Sequence, residues 1–146
     1  MHQVNRQAII RHSASEMFDL VNDVEQYPQF LNWCHSSHLL EKREDYMVAG
    51  LTVSLVGIKQ KFTTKNTFTT VGAVKEIALS LVDGPFAHLT GLWIFTPLHS
   101  HASKIELHLQ FNFKSGFMNR AFKRAFEKIA TQLVADFVLR AKNVYR

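Results

Sequence analysis

The chain has a single cysteine, Cys34, so it cannot close a disulfide on itself, which fits a reducing compartment. Only three prolines and six glycines interrupt its 146 residues. No Gly/Ser/Pro-rich stretch or repeat divides it, so one domain over residues 1–146 is expected. No run of about 18 apolar residues is available to span a bilayer as a helix. Met1 to Arg11 lacks the apolar core of a signal peptide. These absences predict a cytoplasmic domain that touches the inner membrane only peripherally, if at all. There is no P-loop, no G-x-G-x-x-G, no H-E-x-x-H and no Ser-His-Asp arrangement. The eight histidines include the close pairs His35/His38 and His99/His101, but no carboxylate or cysteine joins them at a ligand spacing, so no metal is expected. With no acid–base set and no activated nucleophile in view, the expectation is a protein without catalytic activity.

What is present is phenylalanine and a lopsided charge. Twelve Phe stand against two Trp and three Tyr. Phe carries large apolar area with no polar atom to satisfy, and so suits a wide apolar interior. Of the 17 basic residues, eight lie from Lys114 onward, against two of the twelve acidic ones. That segment therefore carries +6 and the rest of the chain −1. The balance favours anionic partners such as ribosomal RNA or a phospholipid surface; no DNA partner is expected.

Periodicity orders the chain. Val4 to Arg11 suits a first strand. Ser13-Ala14-Ser15-Glu16 has capping-box spacing, and Met17, Phe18, Leu20, Val21 and Val24 follow at helical intervals, predicting a helix from Ser13 to Asp23. Tyr27-Pro28 predicts a second short helix, Pro28 to Leu31. From Ser36 to Phe113 the period is two, most plainly at Ile105, Leu107, Leu109, Phe111 and Phe113. Turn residues at Glu44-Asp45, Val71-Gly72-Ala73, Asp83-Gly84-Pro85 and His99-Ser100-His101 mark four of its turns, and six strands are expected after the helices. Gly116 to Arg146 reads as one long amphipathic helix of about 45 Å. Its apolar stripe runs Met118, Phe122, Phe126, Ile129, Leu133 and Phe137. The expected fold is α+β, in the order β-α-α-β6-α, with a curved seven-stranded antiparallel sheet wrapped around the last helix. A curved sheet gripping a straight rod leaves room for a cavity.

The segments VNDVEQYPQFLNWC (Val21 to Cys34), FTTKNTF (Phe62 to Phe68), VDGPFAHLTGLWIFTPL (Val82 to Leu98) and FVLRAKNVY (Phe137 to Tyr145) carry a resemblance to a known family. The chain resembles the RatA family, the bacterial branch of the coenzyme Q-binding proteins within the START/polyketide-cyclase superfamily, over essentially its whole length. The Asp83 to Phe95 pattern D-G-P-F-x-x-L-x-G-x-W-x-F is its most specific part. Asn32 departs from the family pattern, which has Pro there. The resemblance implies a helix-grip fold and two functions. One is ubiquinone binding in the cavity in support of respiration. The other is the toxin activity for which the family is named, binding the large ribosomal subunit and hindering subunit joining. No obligatory cofactor is implied; a bound ubiquinone or similar isoprenoid lipid is.

On this basis the expected cavity lining is Phe62, Val82, Pro85, Phe86, Leu89, Trp93, Phe95, Leu109, Phe111, Phe122, Phe126, Ile129 and Leu133. Trp93 could offer its N–H to a quinone carbonyl, or it could be ordinary core. Asp83-Gly84-Pro85 reads as a structural turn that could also gate the cavity mouth. Arg120, Arg124 and Lys128 form the expected ribosomal or anionic-lipid surface, against the alternative of a solvated face. Asp136 and Arg140, at i and i+4 with the acid first, are spaced for an ion pair.

Overall fold

The computed structural model describes residues 1–145. The first strand, β1 (His2–Ile10), leads into α1 (Ala14–Asn22) and then a 3-10 segment, Val24–Gln29. Six strands follow: β2 (Cys34–Lys42), β3 (Tyr46–Leu55), β4 (Ile58–Val71), β5 (Val74–Asp83), β6 (Phe86–His99) and β7 (Ala102–Phe113), before the closing helix α2 (Arg120–Val144). The strands form one sheet in the order β1-β7-β6-β5-β4-β3-β2, every neighbouring pair antiparallel. Successive hairpins generate β2 to β7, and β1 returns to pair with β7. This is the α+β grip expected from the alternation, with α1, the 3-10 segment and α2 on the concave face.

Local chemistry explains the element ends. Ser13 caps α1 as the spacing predicts: its hydroxyl accepts from Glu16 N at 3.1 Å, and the Glu16 carboxylate accepts from Ser13 N at 3.1 Å. The second helix lies upstream of its expected place. It winds from Val24, with Gln26 N donating to Asp23 O, and includes Pro28 rather than starting there. A hairpin missed in the sequence joins β3 to β4 through Val56 and Gly57, both at positive φ. Gly84 is required twice over at the β5–β6 turn. Its φ is +148°, and a Cβ there would stand 2.5 Å from the Cβ of Phe62.

The closing helix is shorter than expected. Asn119 caps it, its Oδ1 accepting from Phe122 N at 2.8 Å; a turn at Ser115–Gly116, closed by Phe117 N donating to Lys114 O, and an irregular stretch to Asn119 stand where helix was expected. Met118 therefore leaves the apolar stripe and stands 77% exposed. Twenty-five helical residues span about 38 Å, still enough to cross the sheet. Phe122, Phe126, Ala130, Val134, Phe137 and Ala141 form the fully buried stripe. Arg146, assigned to this helix from sequence, lies outside the described residues.

Candidate functional site

All twelve phenylalanines fall into two ring clusters beneath α2. Toward its N-terminal end, Phe62, Phe86, Phe111, Phe113, Phe117, Phe122 and Phe126 contact one another with ring centroids 4.9 to 6.4 Å apart. Toward its C-terminal end, Phe18, Phe30, Phe68, Phe95 and Phe137 join Tyr27 and Trp93 in a second network. Between the two lies a cavity of about 110 Å³.

Its wall draws on every layer. Phe126, Ile129, Ala130, Leu133 and Phe137 face it from α2, at helical spacing. Alternate residues face it from the sheet: Ala49 and Leu51 of β3, Phe62, Thr64 and Asn66 of β4, Ile77 and Leu79 of β5, Leu89 and Trp93 of β6, and Leu109 of β7. Val21 and Asn22 of α1, Val24 and Tyr27 of the 3-10 segment, and Trp33 complete it.

Seven of the residues expected on this wall stand there: Phe62, Leu89, Trp93, Leu109, Phe126, Ile129 and Leu133. Six do not. Phe86, Phe111 and Phe122 are consumed by packing in the N-terminal ring cluster, and Phe95 by packing against Phe18 and Trp93. Val82 is 57% exposed, because β4 and β5 slip register where Thr63 faces Asp83 and Thr64 faces Leu81. Val82 is the extra residue of that bulge and turns outward. Pro85 lies on the outer surface, its carbonyl accepting from Lys114 N at 2.8 Å, and so ties the β5–β6 turn to the loop before α2.

Part of the wall is polar, at residues absent from the expected lining. Thr64 and Asn66 are buried side by side on the inner face of β4, with the Thr64 hydroxyl donating to Asn66 Oδ1 at 2.8 Å. The signal was available: Lys59, Lys61 and Lys65 must point to water, which turns residues 62, 64 and 66 inward by strand alternation. Tyr27 donates its hydroxyl to the Val21 carbonyl, and burial, the largest cause, raises its pKa well above the ordinary phenol value. Two wall residues carry buried polar atoms without a partner among the described residues, Asn22 Oδ1 and Trp33 Nε1. Trp33 thus presents a buried indole N–H without a partner among the described residues, on the same wall as Trp93, which the sequence offered as cavity lining or core.

Other candidates resolve more simply. Asp136 and Arg140 do not pair. Arg140 lies over the Phe30 ring at 4.8 Å and reaches Gln29 at 3.4 Å, while Asp136 is left with a carboxyl pKa raised by partial burial. Cys34 is buried, and burial raises its thiol to about 11, which suits a small apolar filler rather than a nucleophile. His99 Nδ1 accepts from His101 N at 3.1 Å and so closes its own turn. Arg120, Arg124 and Lys128 project from the outer face of α2, all exposed and without an acidic partner among the described residues. No described helix is long and apolar enough to cross a membrane.

The comparisons with known proteins agree with this architecture. Residues 10–138 match the model of the family described as "Polyketide cyclase / dehydrase and lipid transport". The chain is 48% identical over 145 residues to "Ribosome association toxin RatA" of Vibrio cholerae, covering 99% of both chains. The chain belongs to the RatA family. A more distant relative is "Coenzyme Q-binding protein COQ10 homolog B, mitochondrial" of Xenopus laevis. It is 25% identical over 141 residues, covering 94% of this chain and 57% of that protein. The Zhui aromatase/cyclase from a Streptomyces species superimposes with a TM-score of 0.83 at 16% identity, over 99% of this chain and 96% of that one, which shows a shared fold.

Proposed function

We propose that this chain is a non-catalytic lipid-binding protein that holds the ring of an isoprenoid quinone such as ubiquinone in the cavity beneath α2. The observation that carries the reading is the cavity itself: an apolar space between two filled aromatic clusters, with unpartnered polar atoms on its wall. Apolar burial at about 0.8 kcal/mol per methylene supplies affinity, and the few polar atoms supply orientation. The space is smaller than the roughly 300–1,000 Å³ of drug-sized ligand sites. It therefore takes the ring and the start of the tail, and a long polyprenyl chain has to emerge from it. The coenzyme Q-binding relative, by its name, supports the ligand class. Organic-solvent extraction of the purified protein followed by mass spectrometry tests the reading, and a co-purifying isoprenoid quinone is expected. A lipid-free extract, together with a melting temperature unmoved by added short-chain ubiquinone, overturns it.

A second reading is favoured by the outer face of α2. Arg120, Arg124 and Lys128 stand at i, i+4 and i+8, one exposed row of cations suited to phosphates. The relative named as a ribosome association toxin makes the large ribosomal subunit the partner to test. Co-sedimentation with ribosomal subunits should fall steeply with salt and be abolished by changing all three residues to Glu. Binding indifferent to that reversal rejects the surface. The same row can rest on anionic phospholipid while the cavity exchanges its ligand. The two readings use opposite sides of one helix and are compatible.

A further inference from the structure

The polar atoms on the cavity wall are not interchangeable. The Trp33 indole is donor only, and its buried Nε1–H has no partner among the described residues. Asn22 Oδ1, at the C-terminal end of α1, is an acceptor only and is likewise buried without a partner among them. Tyr27, five residues on, has committed its proton to the Val21 carbonyl, and burial keeps it protonated, so only its oxygen lone pairs remain. Thr64 has committed its proton to Asn66. Counting buried atoms, this side of the wall offers one unpartnered donor, Trp33 Nε1, and two acceptors, Asn22 Oδ1 and the Tyr27 oxygen; the Asn22 amide nitrogen is not among the buried unpartnered atoms. All three residues line the same space, within the twelve-residue stretch from Asn22 to Trp33.

A buried polar atom left unmet carries its full desolvation penalty. A fully oxidised quinone ring brings only acceptors: its carbonyl oxygens can take the Trp33 N–H but leave Asn22 Oδ1 unmet. A hydroquinone brings hydroxyls, which can donate to Asn22 or Tyr27 and accept from Trp33. We propose that this cavity selects the reduced, hydroxyl-bearing form of its ring ligand, a hydroquinone, over the corresponding quinone. The inference rests on the lipid-binding reading above and assigns it a redox preference. No redox step on the protein is involved; the selection is one of hydrogen-bond polarity.

The test is an anaerobic titration of the full chain with ubiquinone bearing one isoprene unit, oxidised in one series and chemically reduced in the other, followed by tryptophan fluorescence and melting temperature. The reduced form is expected to bind at least about tenfold more tightly, the effect of one unmet buried acceptor. Asn22→Leu should narrow that preference by weakening the reduced form alone, the Tyr27 oxygen remaining as the second acceptor. Trp33→Phe, which keeps an aromatic ring but loses the N–H, should weaken both forms together. Equal affinities in the wild type, or tighter binding of the oxidised form, overturn the preference while leaving lipid binding intact. An unchanged ratio in a folded Asn22→Leu protein overturns the role of Asn22. Binding of neither form removes the lipid-binding reading as well.

Discussion

The two aromatic clusters beneath α2 are built from the same residue type and behave differently. The N-terminal one is seven phenylalanines in contact with each other, touched at its edge by the His2 ring on Phe111 and by Lys123 over Phe113; Phe126 alone meets Phe62, Phe86, Phe111 and Phe113 at 5.1 to 6.4 Å. Rings interlocked edge to face at these distances fill space efficiently and leave no atom to satisfy. The C-terminal cluster replaces two of its rings with Tyr27 and Trp93, and it abuts the turn from α1 into the 3-10 segment, where the side-chain atom Asn22 Oδ1 is buried without a partner among the described residues. Where phenylalanine is pure the interior is closed. Where it is mixed with polar aromatic residues, the interior keeps a void with chemistry on its wall. One end of the grip is a packing centre, and the other is the part able to recognise something.

That contrast can be broken most forcefully at Phe126. Phe126→Ala deletes the ring that joins the packing centre to the cavity and should cost about 3–5 kcal/mol in urea unfolding. Gly84→Ala attacks the same end indirectly. It forces a Cβ into Phe62 at an unfavourable φ, and a loss of about 1–3 kcal/mol or more is expected by the same measurement. At the other end, Ser13→Ala removes the cap that anchors α1, the helix carrying Val21 and Asn22 to the cavity. About 1 kcal/mol is expected, seen as a lowered urea midpoint with an unchanged slope. Ala130→Leu sharpens the comparison by filling the void between the clusters. Stability should change by less than about 1.5 kcal/mol while lipid co-purification is lost, since the side chain enters space and displaces no partner.

The smallest effect belongs to Asp136. Burial raises its carboxyl pKa in the fold, so the native state holds its proton more firmly than the unfolded chain, and stability falls as pH rises through the folded value. Asp136→Asn should slightly raise the melting temperature at neutral pH and leave it unchanged in acid below the carboxylate range. Its partial exposure keeps the gain small.

Much of the fold was legible because it depends on near-neighbour pattern. The Ile105 to Phe113 alternation places β7 with one face buried, and the Ser13/Glu16 spacing marks the start of α1; both rest on geometry that the backbone imposes locally. The β3–β4 hairpin escaped because Val56 occupies a left-handed turn position where Asn or Gly would be the signal. Met118 was misplaced because helical spacing alone cannot tell that Asn119 caps the helix one residue later. Of the thirteen residues expected around the cavity, those that missed were Val82 and Pro85, displaced by a bulge and a turn, and the four phenylalanines taken up by ring packing. Inward direction follows from period. Contact with a void depends on which neighbours reach it first.

An antiparallel sheet gripping a basic, amphipathic C-terminal helix can be read from the residue order, because strand period, helix period and caps are short-range properties. Where the aromatic residues close ranks and where they leave a cavity emerges only in the folded chain. So does the burial of Asn22 Oδ1 and Trp33 Nε1 without partners among the described residues. Residues distant in the chain compete for the same volume and the same hydrogen bonds, and that competition is resolved only when the sheet closes on the helix.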